Sequence, residues 1–192
     1  MARILLTAFE PFGGESINPS LEIAKILSRR EDVDVITVPV TFAGSAPAVL
    51  PHLSGHDAVV MLGQAMGRKG LTVERVAINV DDASAPDNAG ETLTDRTIAP
   101  DGANAYFATL PIKEMVQAVR AEGLPASVSN SAGTYVCNHL MYCVLHALKD
   151  TPVRAGFVHV PALPEQTKSR PEIPSMTLED MVRGVEAMLS LL

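Results

Sequence analysis

Cysteine is scarce in this 192-residue sequence, which contains only Cys137 and Cys143. Six positions along one helix would separate their Cα atoms by about 9 Å of axial rise. A disulfide usually spans less than about 7 Å between Cα atoms, so we predict two free thiols. Neither cysteine has a CxxC or Cys/His spacing typical of zinc sites. Two free thiols fit a reducing compartment, and the pattern predicts no metal.

Long apolar runs and basic clusters are also missing. The longest apolar stretches, such as residues 57–63, are far shorter than the roughly 20 residues that a membrane span requires. Residues 1–6 resemble a buried strand and lack the apolar core and cleavage site of a signal peptide. Lys and Arg number 15 against 22 Asp and Glu, for a net charge of −7 and no patch for phosphates. We therefore expect a cytoplasmic protein that binds neither membranes nor nucleic acid.

Short β-branched apolar runs alternate with amphipathic stretches along the whole sequence. This pattern predicts the α/β class, with helices covering a largely parallel, twisted sheet. The length suits one domain, and no repeat or break in composition indicates a second, so we predict a single domain over residues 1–192. The predicted strands cover residues 3–8, 33–40, 58–62, 72–80, 126–129 and 155–160.

Several helix ends carry recognisable signals. Asn18 precedes Pro19 as a capping residue, and residues 177–180 resemble a capping box. A further helix is predicted over residues 111–122, with a glycine directly after it as the stop signal. Residues 81–102 show no helical or strand period, and loops of that length often serve function or subunit contacts.

The reactive chemistry is concentrated around Cys137. A strand is followed by a turn of small residues and then by an apolar helix that begins near this residue. At a helix N-terminus the free N–H groups and the helix dipole favour an anion, so we expect a lowered pKa for the thiol and a nearby oxyanion hole. The alternative is a buried, inert cysteine. Cys143, in the middle of the same helix, is assigned to the core.

A nucleophilic thiol needs a base, and His159 is the best placed of the five histidines. It lies near the end of the predicted strand 155–160, and ligands of open α/β sheets gather at the carboxyl ends of strands. His139 and His146 lie on the cysteine helix, the first on a different face and the second about 13 Å along the axis. The two remaining histidines flank a Ser-Gly turn and are expected to be exposed: His52 and His56.

An acceptor is needed to orient the imidazole, and Glu74 stands out within the predicted strand 72–80. Alternation places it on one sheet face with Val76 and Ile78. A carboxylate on an apolar face is costly unless it is paired, which indicates either a structural ion pair or a catalytic residue. Arg75 points to the opposite face and is not its partner.

Two loops that contain glycine follow predicted strands. In the first, Phe9 and Phe12 occupy positions where polar side chains are usual, so they form either a binding wall or an anchor that fixes the loop to the core. The second, residues 63–70, is rich in glycine but lacks the Gly-Lys-Ser/Thr ending of a phosphate-binding P-loop.

Taken together, these segments closely resemble the pyroglutamyl peptidase I family, also called the pyrrolidone carboxyl peptidases. Four blocks carry the resemblance over nearly the whole chain: FEPFGG at 9–14 with NPS at 18–20, GQ at 63–64 with ERVAIN at 74–79, SAGTYVCNHLMY at 131–142, and HVP at 159–161 with LPEQ at 163–166. Four such blocks in the right order are hard to obtain by chance.

The resemblance implies a three-layer α/β/α sandwich and a cysteine exopeptidase, an omega peptidase, that removes N-terminal pyroglutamyl residues from peptides and proteins. The reaction would pass through a thioester, with a triad that matches Glu74, Cys137 and His159. No metal or other cofactor is implied. The expected partners are N-terminally pyroglutamylated peptides and further copies of the chain, in a homodimer or homotetramer.

The resemblance also implies a set of substrate contacts. Met66 stands where the family often has glycine, and Ser84 stands where some members carry arginine, so the rim of the pocket is expected to differ. Tyrosine replaces the phenylalanine of some relatives at one contact position. The contacts implied are Phe9, Phe12 and Tyr135 against the pyroglutamyl ring, with Asn18 and Gln64 as nearby polar groups.

Three other interpretations compete with this one. A nitrilase-like amidase would pair Glu and Cys with a catalytic lysine, either Lys69 or Lys113. A class I glutaminase would have glycines on both sides of its nucleophile, which residues 135–139 lack. A non-enzymatic module would bind phosphates or nucleosides at residues 63–70, with the cysteine merely buried.

Overall fold

A central sheet of six strands organises the molecule, which is described for residues 2–192 by a computed structural model. The strand order is β2-β1-β3-β8-β4-β7, and all neighbours are parallel except β4 with β8. The six strands are β1 (Ile4–Phe9), β2 (Val33–Val38), β3 (Ala58–Gln64), β4 (Leu71–Glu74), β7 (Ala126–Ser129) and β8 (Arg154–Val160). Two more strands form a separate antiparallel ribbon: β5 (Val76–Ile78) and β6 (Ala105–Phe107).

Helices cover both faces of the sheet. Strand β3 is buried on both sides: Val60 and Leu62 contact one helical layer, and Val59 and Met61 contact the other. Such continuous apolar strands are typical of parallel sheets that are covered on both faces. The predicted α/β class and the three-layer sandwich are confirmed. One layer holds α1 (Pro19–Leu27), α3 (Ile112–Ala121) and α5 (Leu178–Leu189), and the other holds α2 (Phe42–Val49) and α4 (Val136–Leu148).

The predicted strand 72–80 is wrong, because the chain divides at Arg75. β4 ends at Glu74 in the main sheet, whereas β5 pairs with β6 in the ribbon. The Arg75 N–H donates to the Ser129 carbonyl at 2.8 Å, and the Arg75 carbonyl accepts from the Ala108 N–H at 2.9 Å. These bonds tie the two halves of the run to different partners, so Glu74 is separated from the apolar residues of β5.

The other boundaries lie within two residues of their predicted positions. Asn18 caps α1 by accepting from the Ser20 N–H at 3.0 Å, and Thr177 caps α5 by accepting from the Asp180 N–H at 3.2 Å. Residues 81–102 are irregular as predicted, apart from one isolated bridge. No helix within residues 2–192 combines the length and the apolar character needed to cross a bilayer.

Candidate active site

The three residues predicted to act together converge on one face of the sheet. His159 is the second-last residue of β8 and pairs in register with Gly63 of β3 on one side and Thr72 of β4 on the other. Alternation along these strands places Gly63, Glu74 and His159 on the face that α4 covers. Cys137 is the second residue of α4 and reaches the same face.

His159 and Glu74 form a buried hydrogen bond. The His159 Nδ1–H donates to Glu74 Oε1 at 2.7 Å, and the two side chains are only 6% and 0% exposed. Because a carboxylate can only accept, Nδ1 carries the hydrogen and Nε2 is left to exchange a proton with another group. The Arg68 guanidinium lies 3.5 Å from the same carboxylate oxygen. Arg68 is thus the cationic partner of Glu74 that the sequence did not reveal.

Gly63 makes room for the Cys137 sulfur. A Cβ atom at this position would lie 3.1 Å from Cys137 Sγ and 2.7 Å from Phe157 Cζ, both closer than side chains normally pack. The sulfur therefore rests against the residue that pairs with His159 across the sheet. Within residues 2–192 the thiol makes no side-chain hydrogen bond, and Gly63 is the residue that lies against the sulfur and pairs with His159 in the neighbouring strand. A hydrogen bond between a catalytic nucleophile and its base often tightens only when substrate is bound.

The expected low pKa of Cys137 is wrong, although the helix begins where predicted. Burial raises the pKa of the thiol to about 12, and the negative charge of Glu74 adds to the rise. The N–H of Cys137 at the start of α4 acts in the opposite direction and is outweighed. This environment favours the protonated thiol, so the nucleophile needs a base to take its proton.

A cavity of about 360 Å³ has Cys137 in its lining. Its size lies at the lower end of the range for small-molecule sites. All five substrate contacts implied by the resemblance line this cavity: Phe9, Phe12, Asn18, Gln64 and Tyr135. The lining residues that the sequence analysis did not identify are Gly13, Glu15, Val40, Val136 and Arg170.

One side of the cavity is an aromatic wall made of Phe12 and Tyr135, and Phe42 packs against Tyr135 outside the lining. The Tyr135 ring centroid lies 5.5 Å from that of Phe12 and 5.5 Å from that of Phe42, which meets it edge-on. The Tyr135 hydroxyl donates to the Pro86 carbonyl at 2.9 Å, and burial raises the pKa of this phenol to about 12. Tyr135 therefore offers the cavity an apolar ring, and its hydroxyl is occupied elsewhere.

The two side-chain amides of the cavity already have partners within the protein. Asn18 accepts from the Ser20 N–H as a helix cap, and its amide donates to the Glu10 carbonyl at 2.9 Å. The side-chain amides of Gln64 and Gln166 bond to each other at 3.1 Å. A contact from Asn18 or Gln64 to a ligand must use a remaining lone pair or N–H group.

The two departures from the family pattern lie in or near the cavity lining. Met66 is 40% exposed and lines the cavity. Ser84 borders a neighbouring shallow depression that shares Phe12 and Tyr135 with the cavity. Met66 is therefore placed to change the cavity directly, whereas Ser84 lies outside its lining.

Cys143 does not belong to the inert core, and that prediction is wrong. The residue is half-buried, and its Sγ lies 3.6 Å from Nε2 of His139. The two are four positions apart on one helix, a spacing that brings side chains together and is visible in the sequence. His52 is exposed as predicted, whereas His56 is mostly covered and its Nε2 lies 2.9 Å from the Asp34 carboxylate.

The competing interpretations find little support in this geometry. Lys69 and Lys113 are both exposed, and neither lines the cavity beside Cys137 as a nitrilase-like amidase would need. In the loop 63–70, Arg68 is paired with Glu74, which removes its best group for binding a phosphate.

Comparison with known sequences gives one consistent family. The pyroglutamyl peptidase model matches residues 2–191. Pyrrolidone-carboxylate peptidase 1 of Caldanaerobacter subterraneus subsp. tengcongensis is 50% identical over 197 residues, covering 99% of this chain and 97% of the relative. A pyrrolidone-carboxylate peptidase of Streptococcus suis is 51% identical over 194 residues, covering 97% of this chain and 90% of the relative.

Solved structures agree with the sequences. Pyroglutamyl peptidase I of Bacillus amyloliquefaciens has a TM-score of 0.93 at 38% identity, covering 98% of this chain and 95% of that one. A mutant pyrrolidone carboxyl peptidase of Pyrococcus furiosus has a TM-score of 0.92 at 38% identity, with coverage of 98% and 96%. Because sequence and fold match over nearly the full length, this chain belongs to the pyroglutamyl peptidase family.

Proposed function

We propose that Cys137, His159 and Glu74 are the triad with which this cysteine peptidase removes N-terminal pyroglutamyl residues from peptides and proteins. The observation that carries the proposal is the buried 2.7 Å hydrogen bond between His159 and Glu74, in a strand paired with Gly63, against which the Cys137 sulfur lies. Glu74 Oε2 is buried without a partner in the described part of the chain. A carboxylate kept only for stability is normally fully paired, so this oxygen favours a catalytic role.

The arrangement supports covalent catalysis in two halves. His159 Nε2 takes the thiol proton as the Cys137 sulfur attacks the carbonyl carbon attached to the lactam ring. The same imidazole then gives the proton to the departing amine, and a thioester remains. In the second half the imidazole deprotonates a water molecule, which attacks the thioester and releases pyroglutamate and the free thiol.

Two other groups stabilise the charges that develop. The first N–H groups of α4 have no acceptor within the helix, and they are positioned to bind the oxyanion of the tetrahedral intermediate. Glu74 holds the Nδ1–H of His159 and stabilises the positive ring in both halves. Proton transfer to His159 also removes the need for a thiol that is ionised at rest.

The cavity suits a neutral lactam better than a charged N-terminus. Its wall is aromatic, and the amides of Asn18 and Gln64 carry no charge. Glu15 and Arg170 also line it, but their charged groups lie 3.9 Å apart and both side chains are partly exposed. A protonated α-amine would therefore lose its hydration on binding, and the cavity offers no unpaired carboxylate to compensate for that loss.

The direct test is release of a fluorogenic amine from a pyroglutamyl amide, compared with the matching glutaminyl amide, which has a free α-amine. We expect cleavage of the lactam substrate at least about 10³-fold faster in kcat/KM, because the amine must be desolvated in an apolar site. Equal cleavage of both substrates would contradict the proposed specificity. Failure of well-folded protein to cleave either would contradict the proposed function.

Replacement of Phe12 by alanine tests the aromatic wall. Phe12 is 37% exposed, so truncation removes part of a ring contact worth about 1 to 1.5 kcal/mol. We expect KM for the pyroglutamyl amide to rise about tenfold with kcat changed less than about twofold. The matched control is Phe107→Ala, which removes a 69% exposed ring outside the cavity and leaves KM unchanged. A KM equal to that of the wild type in Phe12→Ala would remove Phe12 from the binding site.

We also propose the extent of the domain, its location in the cell and its oligomeric state. The catalytic domain spans residues 1–192, in keeping with strands from both ends of the chain in one sheet. The two free thiols support a cytoplasmic location. The family resemblance supports a homodimer or homotetramer, which light scattering distinguishes from a monomer.

A further inference from the structure

A second cluster of cysteine, histidine and carboxylate lies outside the proposed triad. Cys143 and His139 are one turn apart on the same face of α4, and the sulfur lies 3.6 Å from His139 Nε2. On the other side of the ring, Nδ1 donates to Asp81 Oδ2 at 2.8 Å. Asp81 comes from the irregular segment 81–102, which brings it to the helix. The order of groups is thiol, imidazole and carboxylate, as in the proposed triad.

Asp81 favours a proton on His139. The carboxylate is 2% exposed, and its second oxygen, Oδ1, has no partner among residues 2–192. An unpaired buried carboxylate is costly, so the nearby imidazole is stabilised in its charged form. Burial alone would lower the pKa of His139, but the hydrogen bonds to Asp81 and Cys143 outweigh it and raise the pKa to about 9.

The geometry suits thiol chemistry and does not suit a metal. Sulfur and carboxylate lie against opposite nitrogens of the ring, so the three groups cannot converge on one ion. A charged imidazole within hydrogen-bond distance of sulfur is instead the arrangement that favours a thiolate. Cys143 is half-buried and so retains access to small reagents.

We propose that Cys143 is a second reactive thiol, activated by His139 and Asp81, and a modification site for hydrogen peroxide. The thiolate attacks one peroxide oxygen and the O–O bond breaks. Sulfur is oxidised by two electrons to the sulfenic acid, and the peroxide is reduced. The hydroxide that leaves takes the proton of the His139 imidazolium and departs as water. This chemistry does not depend on the peptidase reaction.

The cluster lies behind the aromatic wall of the cavity. The His139 ring meets Phe42 edge-on, with centroids 5.8 Å apart, and Phe42 in turn contacts Tyr135. None of the three cluster residues lines the cavity itself. The proposed modification site is therefore separate from the site that binds the pyroglutamyl group.

The test uses the full-length Cys137→Ala variant, in which Cys143 is the sole thiol. The protein is exposed to hydrogen peroxide at pH 7, the sulfenic acid is trapped with dimedone, and the adduct is followed by mass spectrometry. Because His139 and Asp81 are held beside the sulfur only in the folded protein, we expect native protein to react at least about tenfold faster than protein unfolded in urea. Reaction no faster in the native state would overturn the proposal.

Two variants made in the Cys137→Ala background test the assigned partners. Asp81→Asn and His139→Gln are expected to bring the native rate down to that of the unfolded chain. His146→Gln is the matched control, because His146 lies on the same helix but bonds to Tyr106, and it leaves the rate unchanged. A fast native rate that persists in Asp81→Asn and His139→Gln would overturn their role. If these variants fail to fold, the comparison of native and unfolded protein decides alone.

Discussion

Replacement of Cys137 by serine is expected to lower kcat/KM for a pyroglutamyl amide by at least about 10⁴-fold. The substitution changes one atom and keeps the packing against Gly63. A serine hydroxyl is a much weaker acid than a thiol, so His159 cannot generate a comparable nucleophile in this site. The measurement is the initial rate of amine release at substrate concentrations well below KM, with folding checked by circular dichroism.

Cys143→Ser is the matched control for this variant. It removes the other thiol of the chain, which does not line the cavity, and is expected to retain kcat/KM within about twofold. A large loss in Cys143→Ser together with an active Cys137→Ser would reverse the assignment of the nucleophile. Mass spectrometry adds an independent readout, since a thioester with the pyroglutamyl group accumulates only on the nucleophilic cysteine.

Replacement of Glu74 by glutamine is expected to lower kcat by about 10³- to 10⁴-fold while KM changes little. The amide has nearly the shape of the carboxylate but no charge to stabilise the imidazolium that forms during both halves of the reaction. Its NH₂ group can also face Nδ1 and impose the wrong tautomer on His159. The loss should therefore appear in kcat, because the substituted residue does not line the cavity.

The control for Glu74→Gln is Glu179→Gln, which makes the same change at an exposed position of α5. Urea denaturation of both variants separates catalysis from stability, because Glu74 is fully buried and pairs with Arg68. If Glu74→Gln kept its kcat and lost only stability, Glu74 would be a structural ion-pair residue. That outcome would favour the alternative given in the sequence analysis, in which Glu74 forms a structural ion pair and has no catalytic role.

Most of the sheet is predictable because its strands are short apolar runs that are buried on both faces. Strand β3 is such a case, since its side chains enter both helical layers. The division at Arg75 is not predictable from local pattern, because it depends on backbone bonds to Ser129 and Ala108. β-Branched residues continue through the run 72–80 in sequence even though the two halves enter different sheets.

The residues of the site are easier to predict than their electrostatics. Glu74 and His159 stand out as polar residues within apolar strands, and Cys137 stands out at a helix start. The pKa of Cys137 depends instead on burial and on the charge of Glu74, which lies far away in sequence. Arg68 likewise reaches Glu74 from a glycine-rich loop that carries no signal of an ion pair. The pKa of Cys137 and the ion pair of Glu74 both depend on residues far away in sequence, so local sequence patterns do not predict them.

Strand β8 enters the sheet between β3 and β4, although it is the last strand of the chain. His159 therefore meets Gly63 and Thr72 only after most of the polypeptide has been made. Contacts between residues so far apart in sequence form slowly, because the intervening chain loses entropy before any contact compensates for it. During synthesis or refolding, peptidase activity should therefore appear when β8 pairs with β3 and β4. Recovery of activity then reports that the central sheet is fully formed.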